Sequence, residues 1–331
     1  MLNNKKIAIL GVGKGVPEKV LTNSDLEKMV DTSDEWITSR TGIKERRICP
    51  DHICCSDLAV EAAEQAMQRS GSAPEDIDMV IVATVTPDYP LPGVAGIVQD
   101  RLGLIRAAAF DLKAACSGWV YSAACAFGFI RSGLYKRILV IGVDVLSRIA
   151  NWHDRSTCVL FGDGCGAAVI GEHEGEYGII DFDLGADGSG SRYLYIPEGG
   201  SRTPLTREGL EAGRNKIFMA GQEVFKFAVK IQSETLSKLF RRNNVAPEEV
   251  DLFVPHQANI RIIDSSAKRV GIPMDRVFVN LHKYGNTSGA SVPLALCEAW
   301  EQGRIKKGDL VAVCGFGAGL TWASGIMKWA Y

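Results

Sequence analysis

The sequence predicts an α/β fold built from two similar halves packed face to face. Three observations carry that expectation. First, the stretch Ala73-Pro-Glu-Asp-Ile-Asp78 returns as Ala246-Pro-Glu-Glu-Val-Asp251, offset by 173 residues. Second, each copy leads into the same succession of apolar strand, helix, strand, long apolar helix and final strand. Third, 331 residues at 46% hydrophobic and 23% charged suit a globular chain with room for two such units. Strands alternating with helices, twice over, call for sheets layered between helices rather than an all-helical or all-β chain.

Taken in order, residues 7–10 read as a first strand. No cationic and apolar succession of the signal-peptide kind precedes them, so a cytoplasmic protein is expected. Basic-ended helices at 64–70 and 237–243 precede the two copies. The strands Met79-Val-Ile-Val-Ala83 and Leu252-Phe-Val254 follow. The next helices end in Arg101-Leu-Gly103 and Arg269-Val-Gly271, with further strands expected at 108–111 and 277–280. The long apolar helices close at Gly133 and Gly303, where a left-handed cap carries no Cβ penalty. Ile138-Leu-Val-Ile141 and Leu310-Val-Ala-Val313 complete the copies. The expected division is an N-terminal half at 1–170, connecting and covering loops at 171–220, and a C-terminal half at 221–331.

The longest uncharged run, 114–130, falls short of the ~20 apolar residues of a membrane span. It contains Ser117, Gly118, Ser122 and Gly128, and reads as a helix buried in a soluble core. A net charge of −2 gives no reason to expect nucleic acid. The nine cysteines are odd in number and lack Cys-x-x-Cys spacing, so free thiols and no structural metal are expected.

Along the long helices the offset falls to 170, which sets Cys116 opposite Asn286. The offset of 173 sets Ala83 opposite His256. A pseudo-twofold arrangement would gather all three at the central interface. Cys116, in Ala114-Ala-Cys-Ser-Gly-Trp119, stands after a strand and at a helix start, where unpaired N–H groups favour thiolate. Viewed alone it reads equally as a packed structural cysteine. His256, in Val254-Pro-His-Gln-Ala-Asn259, stands on a strand-to-helix turn; His282 competes with it because it lies close to Asn286. Asn286, in Tyr284-Gly-Asn-Thr-Ser-Gly-Ala-Ser-Val-Pro293, reads either as a turn residue or as an amide donor to a carbonyl that gains charge. Gly315-Phe-Gly-Ala-Gly319 and Gly11-Val-Gly-Lys-Gly15 can bring backbone N–H groups to a ligand. Neither is a dinucleotide fingerprint, since Leu320 and Val16 occupy the final position. Phe161-Gly-Asp-Gly-Cys-Gly166 reads as a tight turn between strands.

With Asp34-Glu-Trp-Ile-Thr-Ser-Arg-Thr-Gly-Ile43 and Phe316-Gly-Ala-Gly-Leu-Thr-Trp322 added to these motifs, the chain resembles the β-ketoacyl-acyl-carrier-protein synthase III family of the thiolase-like superfamily, over essentially its whole length. The resemblance implies a duplicated five-layered αβαβα fold, a homodimer, and a condensation of acyl-CoA with malonyl-acyl carrier protein that primes fatty-acid synthesis. It implies no metal and no cofactor beyond the coenzyme A thioester substrate. Cys116 would take the acyl group, and His256 and Asn286 would stabilise the malonyl enolate. The N–H groups of Cys116 and Ala318 would form an oxyanion hole. Trp36 and Arg155 match positions that sandwich the adenine of coenzyme A, with Arg40, Gly221 and Asn259 as further contacts. Lys226, Arg261, Lys268 and Arg269 match a carrier-protein patch. Leu91, Trp119 and Phe161 match the acyl pocket. Leu91 stands where many relatives carry phenylalanine, and Trp119 where phenylalanine is usual. A condensing enzyme of secondary metabolism with an unusual starter is the alternative enzyme reading. A non-catalytic partner of the same fold is the other, which retention of all three catalytic residues opposes.

Overall fold

A computed structural model describes residues 6–331. Its first sheet contains β1 (Lys6–Gly15), β2 (Met79–Ala83), β3 (Ala108–Leu112), β4 (Arg137–Val145) and β5 (Asp163–His173), in the order β1-β5-β4-β2-β3. The second contains β6 (Ile179–Ala186), β7 (Leu252–Pro255), β8 (Leu310–Gly317) and β9 (Thr321–Lys328), in the order β7-β8-β9-β6. In each sheet a parallel pair, β2 with β4 or β7 with β8, is continued beyond β4 or β8 by antiparallel strands, and in the first sheet β3 adds a further parallel strand beside β2. The helices used below are α1 (Asp34–Thr41), α2 (Cys55–Ser70), α3 (Val94–Arg101), α4 (Gly118–Arg131), α5 (Gly221–Arg242), α6 (Ile260–Val270) and α7 (Ser291–Glu301).

The five layers follow from which faces are apolar. The two long apolar helices α4 and α7 lie between the sheets, where Trp119, Val120, Ala123, Val292, Ala295 and Leu296 share one core with inward residues of both sheets. The run 114–130 therefore lies at the heart of the molecule, though not buried throughout: Phe127 and Phe129 are partly exposed and Gly128 is exposed. Outside the first sheet, Leu58, Ala62, Ala66, Val94 and Val98 of α2 and α3 cover Val80, Val82 and Leu139. Outside the second, Leu236, Leu239, Ile263 and Ala267 of α5 and α6 cover Phe253, Ala312 and Cys314. Gly133 and Gly303 both adopt positive φ, as expected of helix-closing glycines.

The duplication is more regular than the sequence suggests. Met79 pairs with Ile138 as Leu252 pairs with Val311, and both members keep the 173-residue offset. Ala115 and Ser288 keep it too: each takes a positive φ, 46° and 51°, in the short turn that opens its long helix. Cys116 is thus the counterpart of Gly289, not of Asn286. The offset of 170 arises only from three residues lost within the second helix, before its closing glycine.

Three local expectations change. Residues 277–280 make only a single bridge, Phe253 to Val277, because the Gln257 side chain occupies the place of a ladder. Its Nε2 donates to Phe278 O at 3.1 Å and its Oε1 accepts from Asn280 N at 3.0 Å. The segment 171–220 is not loop throughout, since it supplies β6, an edge of the second sheet. The two glycine runs are packing devices. Gly11, Gly13 and Gly15 lie against the carbonyls of Ala66, Ala62 and Leu58 on α2, and a Cβ there would meet backbone oxygen within 2.4 Å. The run at 161–166 opens β5 rather than turning. Gly162 faces Tyr284 O and Gly166 faces the backbone of Pro293 and Leu294.

Candidate active site

Cys116 is buried in the turn before α4. Strand β8 reaches it because two of its residues lack side chains. A Cβ on Gly315 would stand 2.8 Å from Cys116 O, and one on Gly317 would stand 2.7 Å from Cys116 N. The Cys116 N–H therefore faces bare backbone at the end of β8, one residue before Ala318. Burial pushes the thiol up to about 12, against the smaller opposing pull of its hydrogen bond to Ser288. Desolvation thus opposes the helix start, which by itself favours thiolate.

His256 follows β7, which pairs with β8 so that Pro255 lies beside Cys314. The strand that touches Cys116 thus also anchors His256, whose N–H donates to Cys314 O at 2.7 Å, and the Phe316 ring stands edge-on to the imidazole at 5.3 Å. His256 is 1% exposed, and burial lowers its pKa to about 3. The ring is neutral, with one N–H. Nδ1 lies 2.5 Å from Ser291 Oγ, which also accepts from Gln257 N at 3.1 Å. Donation of the serine proton to Nδ1 would leave the imidazole proton on Nε2, the tautomer in which His256 is an Nε2–H donor. His282 has no such setting; it is half-buried beside Lys283 and Lys44.

Asn286 is pinned from both sides. Its N–H donates to Leu160 O at 2.8 Å, and its carbonyl accepts from Gly162 N at 3.0 Å, which bridges it to Phe161. Its Oδ1 accepts from Ser288 N at 2.8 Å. A backbone N–H can only donate, so the side-chain oxygen is fixed and the amide NH2 is presented as a donor. Cys116 Sγ in turn donates to Ser288 Oγ at 3.5 Å. Ser288 therefore joins the thiol to the asparagine. A buried thiol and two neutral donors are brought together, with the buried Asp144 side chain behind them, an arrangement suited to carbonyls that become negative during reaction.

At the surface, Trp36 projects from α1 with the guanidinium of Arg40 4.9 Å and that of Arg155 5.4 Å from its ring. Arg155 also donates to Asp31 O at 2.7 Å. It rests on the indole itself, so a base can enter between them only if the guanidinium moves. Asn259 caps α6 through Arg261 N and donates to Arg40 O, which ties this helix to the Trp36 region. Gly221 opens α5, with only Met219 near the site of a Cβ. Lys226 on α5 and Arg261, Lys268 and Arg269 on α6 are all exposed. Leu91 is 86% exposed, whereas Trp119 is set in the central core with its indole N–H on Val140 O at 3.2 Å.

Sequence reasoning missed Ser288, Ser291 and Asp144. The two serines lie in the Asn286 motif but carry no signal that separates them from turn residues. Asp144 does have one: it is the lone charge in the apolar run 138–146. Among the described residues no helix is long and apolar enough to cross a membrane.

Family models of 3-oxoacyl-[acyl-carrier-protein] synthase III match residues 110–188 and, for the C-terminal part, 240–329. The chain is 56% identical over 328 residues to β-ketoacyl-[acyl-carrier-protein] synthase III of Caldanaerobacter subterraneus subsp. tengcongensis, covering 98% of this chain and 99% of that protein. The crystal structure of the β-ketoacyl-[acyl carrier protein] synthase III from Thermus thermophilus superposes with a TM-score of 0.91 at 47% identity, over 98% of this chain and 99% of that one. The priming β-ketosynthase of the R1128 polyketide pathway is similar at 31% identity and a TM-score of 0.92, over 100% and 98% of the two chains.

Proposed function

The chain belongs to the β-ketoacyl-acyl-carrier-protein synthase III family, and from that membership we propose how its residues divide the work. It is an acyltransferase of the thiolase-like fold that condenses acyl-CoA with malonyl-acyl carrier protein, the initiating step of fatty-acid synthesis. In our reading the Cys116 sulfur attacks the acyl-CoA carbonyl. The backbone N–H groups of Cys116 and Ala318 receive the developing oxyanion, and coenzyme A leaves. Malonyl thioester then loses CO2 while its carbonyl takes hydrogen bonds from His256 Nε2–H and the Asn286 amide. The enolate attacks the acyl-Cys116 thioester. Neutral donors suit this sequence, because charge appears on one carbonyl and then on another, and preplaced dipoles meet it without reorganising.

The observation that carries this reading is the shared frame of the three side chains: β8 abuts both Cys116 and His256, and Ser288 joins Cys116 to Asn286. Coenzyme A enters past Trp36, Arg40, Arg155, Gly221 and Asn259. Carrier protein docks on Lys226, Arg261, Lys268 and Arg269. Phe161 and Leu91 bound the acyl chain over a floor packed by Trp119. A homodimer in the cytoplasm fits β3, an edge strand with Ala108, Ala109 and Phe110 exposed. It also fits the exposure of Leu91. The halves 1–170 and 221–331 act as one unit through the shared central layer, with 171–220 between them.

The test is acylation without the malonyl donor. After incubation with acyl-CoA, peptide mass spectrometry should find the acyl group on Cys116. Stable acylation at Cys125 or Cys165 instead, or at no cysteine, overturns the assignment.

A further inference from the structure

Arg46 carries a charge into the interior with no carboxylate to meet it. It stands in the short strand Glu45–Arg47 and is fully buried. Among the described residues no aspartate or glutamate forms an ion pair with it. Its partners are neutral oxygens. Nη1 donates to Leu21 O at 3.1 Å and to Asn23 Oδ1 at 2.9 Å, and Nη2 donates to Val159 O at 2.8 Å. Its Nε has no partner. Taking a guanidinium out of water without a counter-charge is costly, so the position demands something an apolar side chain does not supply. The planar fork supplies it, with donors aimed in two fixed directions.

Each direction leads to a functional element. On one side, Asn23 accepts from Arg46 through Oδ1, which leaves its amide NH2 as the donor. That group donates to Asp34 Oδ1 at 2.7 Å and to Ile43 O at 2.8 Å. Asp34 opens α1 and Ile43 lies just beyond its closing Gly42, so Asn23 grips both ends of the helix that carries Trp36 and Arg40. On the other side, Val159 closes the short helix Arg155–Cys158, whose first residue rests on the Trp36 ring. The residues that follow hold both backbone groups of Asn286, through Leu160 O and Gly162 N. The stem of Arg46 fills the space behind them: a Cβ on Gly162 or on Gly285 would stand 2.9 or 3.3 Å from Arg46 Cβ.

We propose that Arg46 is a positioning residue for both walls of the coenzyme A entrance, setting α1 through Asn23 and the Arg155 turn through Val159, and that the Val159 arm also places Asn286. This rests on the reading of Asn286 as a donor to the malonyl carbonyl and of Trp36 and Arg155 as nucleotide contacts. Arg46 itself touches no substrate. Its two arms make two separate quantities depend on one side chain: affinity for the nucleotide end of acyl-CoA, and the rate at which malonyl thioester loses CO2. Lysine is no substitute, because an ammonium is a point charge on a flexible stem and does not span both arms. Cys116 lies on neither arm, since its main chain is packed against β8.

The experiment compares the native enzyme with Arg46→Lys and Asn23→Ala in three assays. These are acylation of Cys116 by acetyl-CoA, acylation by acetyl-N-acetylcysteamine, which has no nucleotide, and decarboxylation at saturating malonyl-carrier protein. Arg46→Lys should raise KM for acetyl-CoA about tenfold, as expected when positioning is relaxed. It should lower decarboxylation by about one to two decades, less than the ~10²–10³ for deleting a donor outright. Acylation by the short thioester should stay near native. Asn23→Ala cuts only the α1 arm, so it should raise KM for acetyl-CoA and leave decarboxylation near native. General loosening of the fold would lower all three rates together in Arg46→Lys, and that result overturns the proposal. So do native KM and native decarboxylation in the same variant. If Arg46→Lys does not fold, Asn23→Ala decides: a native KM for acetyl-CoA, or equal losses in all three assays, overturns it. Asn286→Ala is the control, and native decarboxylation there would refute the Asn286 assignment rather than the role of Arg46.

Discussion

Gly317 and Asp144 are counterparts across the duplication, 173 residues apart, and they treat the backbone N–H in front of them in opposite ways. Asp144 accepts from the N–H of Gly289. Gly317, with no side chain, sets only bare backbone before the N–H of Cys116. One copy spends the position on a buried carboxylate, and the other, on the proposed mechanism, keeps a donor for substrate.

Gly317→Ala should therefore damage acylation. The new Cβ would stand 2.7 Å from Cys116 N, a backbone atom that cannot swing aside. Loss of an oxyanion donor typically costs ~10²–10³ in rate, and overpacking adds a stability loss of ~1–3 kcal/mol. Acylation rates and urea midpoints measured together would test this; a variant with native acylation would remove the Cys116 N–H from the oxyanion hole.

Ser291→Ala should impair decarboxylation more than acylation if the serine proton on Nδ1 keeps the His256 proton on Nε2. The loss should be smaller than the ~10²–10³ expected for His256→Ala, which deletes the donor itself. The two half-reactions, assayed separately in both variants, give the comparison. A Ser291→Ala enzyme that decarboxylates at the native rate would show that the tautomer is fixed elsewhere.

His256 also makes stability depend on pH. Its folded pKa is about 3 against an ordinary 6.5, so below about 6.5 the unfolded chain binds a proton that the folded chain refuses. The contribution is full above that pH and is lost progressively as pH falls toward 3. His256→Gln should flatten the dependence, giving a smaller drop in urea midpoint between neutral and mildly acidic buffer than the native protein shows. Equal drops would mean that the ring protonates in the folded state.

Leu91→Phe should leave stability unchanged, since the side chain is 86% exposed in the isolated chain, yet shift primer choice. Refilling an apolar pocket costs ~1–3 kcal/mol, or about one to two decades of kcat/KM at ~1.4 kcal/mol per decade. Values for acetyl-, butyryl-, isobutyryl- and octanoyl-CoA should fall selectively for the longer chains. An unchanged profile would exclude Leu91 from the pocket.

The layers, the capping glycines and the place of His256 were legible because each rests on local pattern: strand length, helix-ending glycine, a histidine on a strand-to-helix turn. The equivalence of Cys116 with Asn286 misled because a helix shortened by three residues looks, in sequence, like a register shift at its start. The ladder expected at 277–280 failed for a different reason: Gln257, twenty residues upstream, substitutes side-chain amide for strand, and no local window contains both. Gly289 and Asp144 meet only after two halves have packed, so neither half announces the pair.

The Gln257 substitution has a consequence for assembly. A duplicated sheet that kept the same edge bare in both copies would carry two sticky ends, and such chains can join head to tail without limit. Here the second copy's edge beside β7 is covered from within by the Gln257 amide and the single bridge at Val277, while the first copy's edge at β3 has no strand beside it among the described residues. Of the two equivalent edges through which head-to-tail joining could run, only one is left.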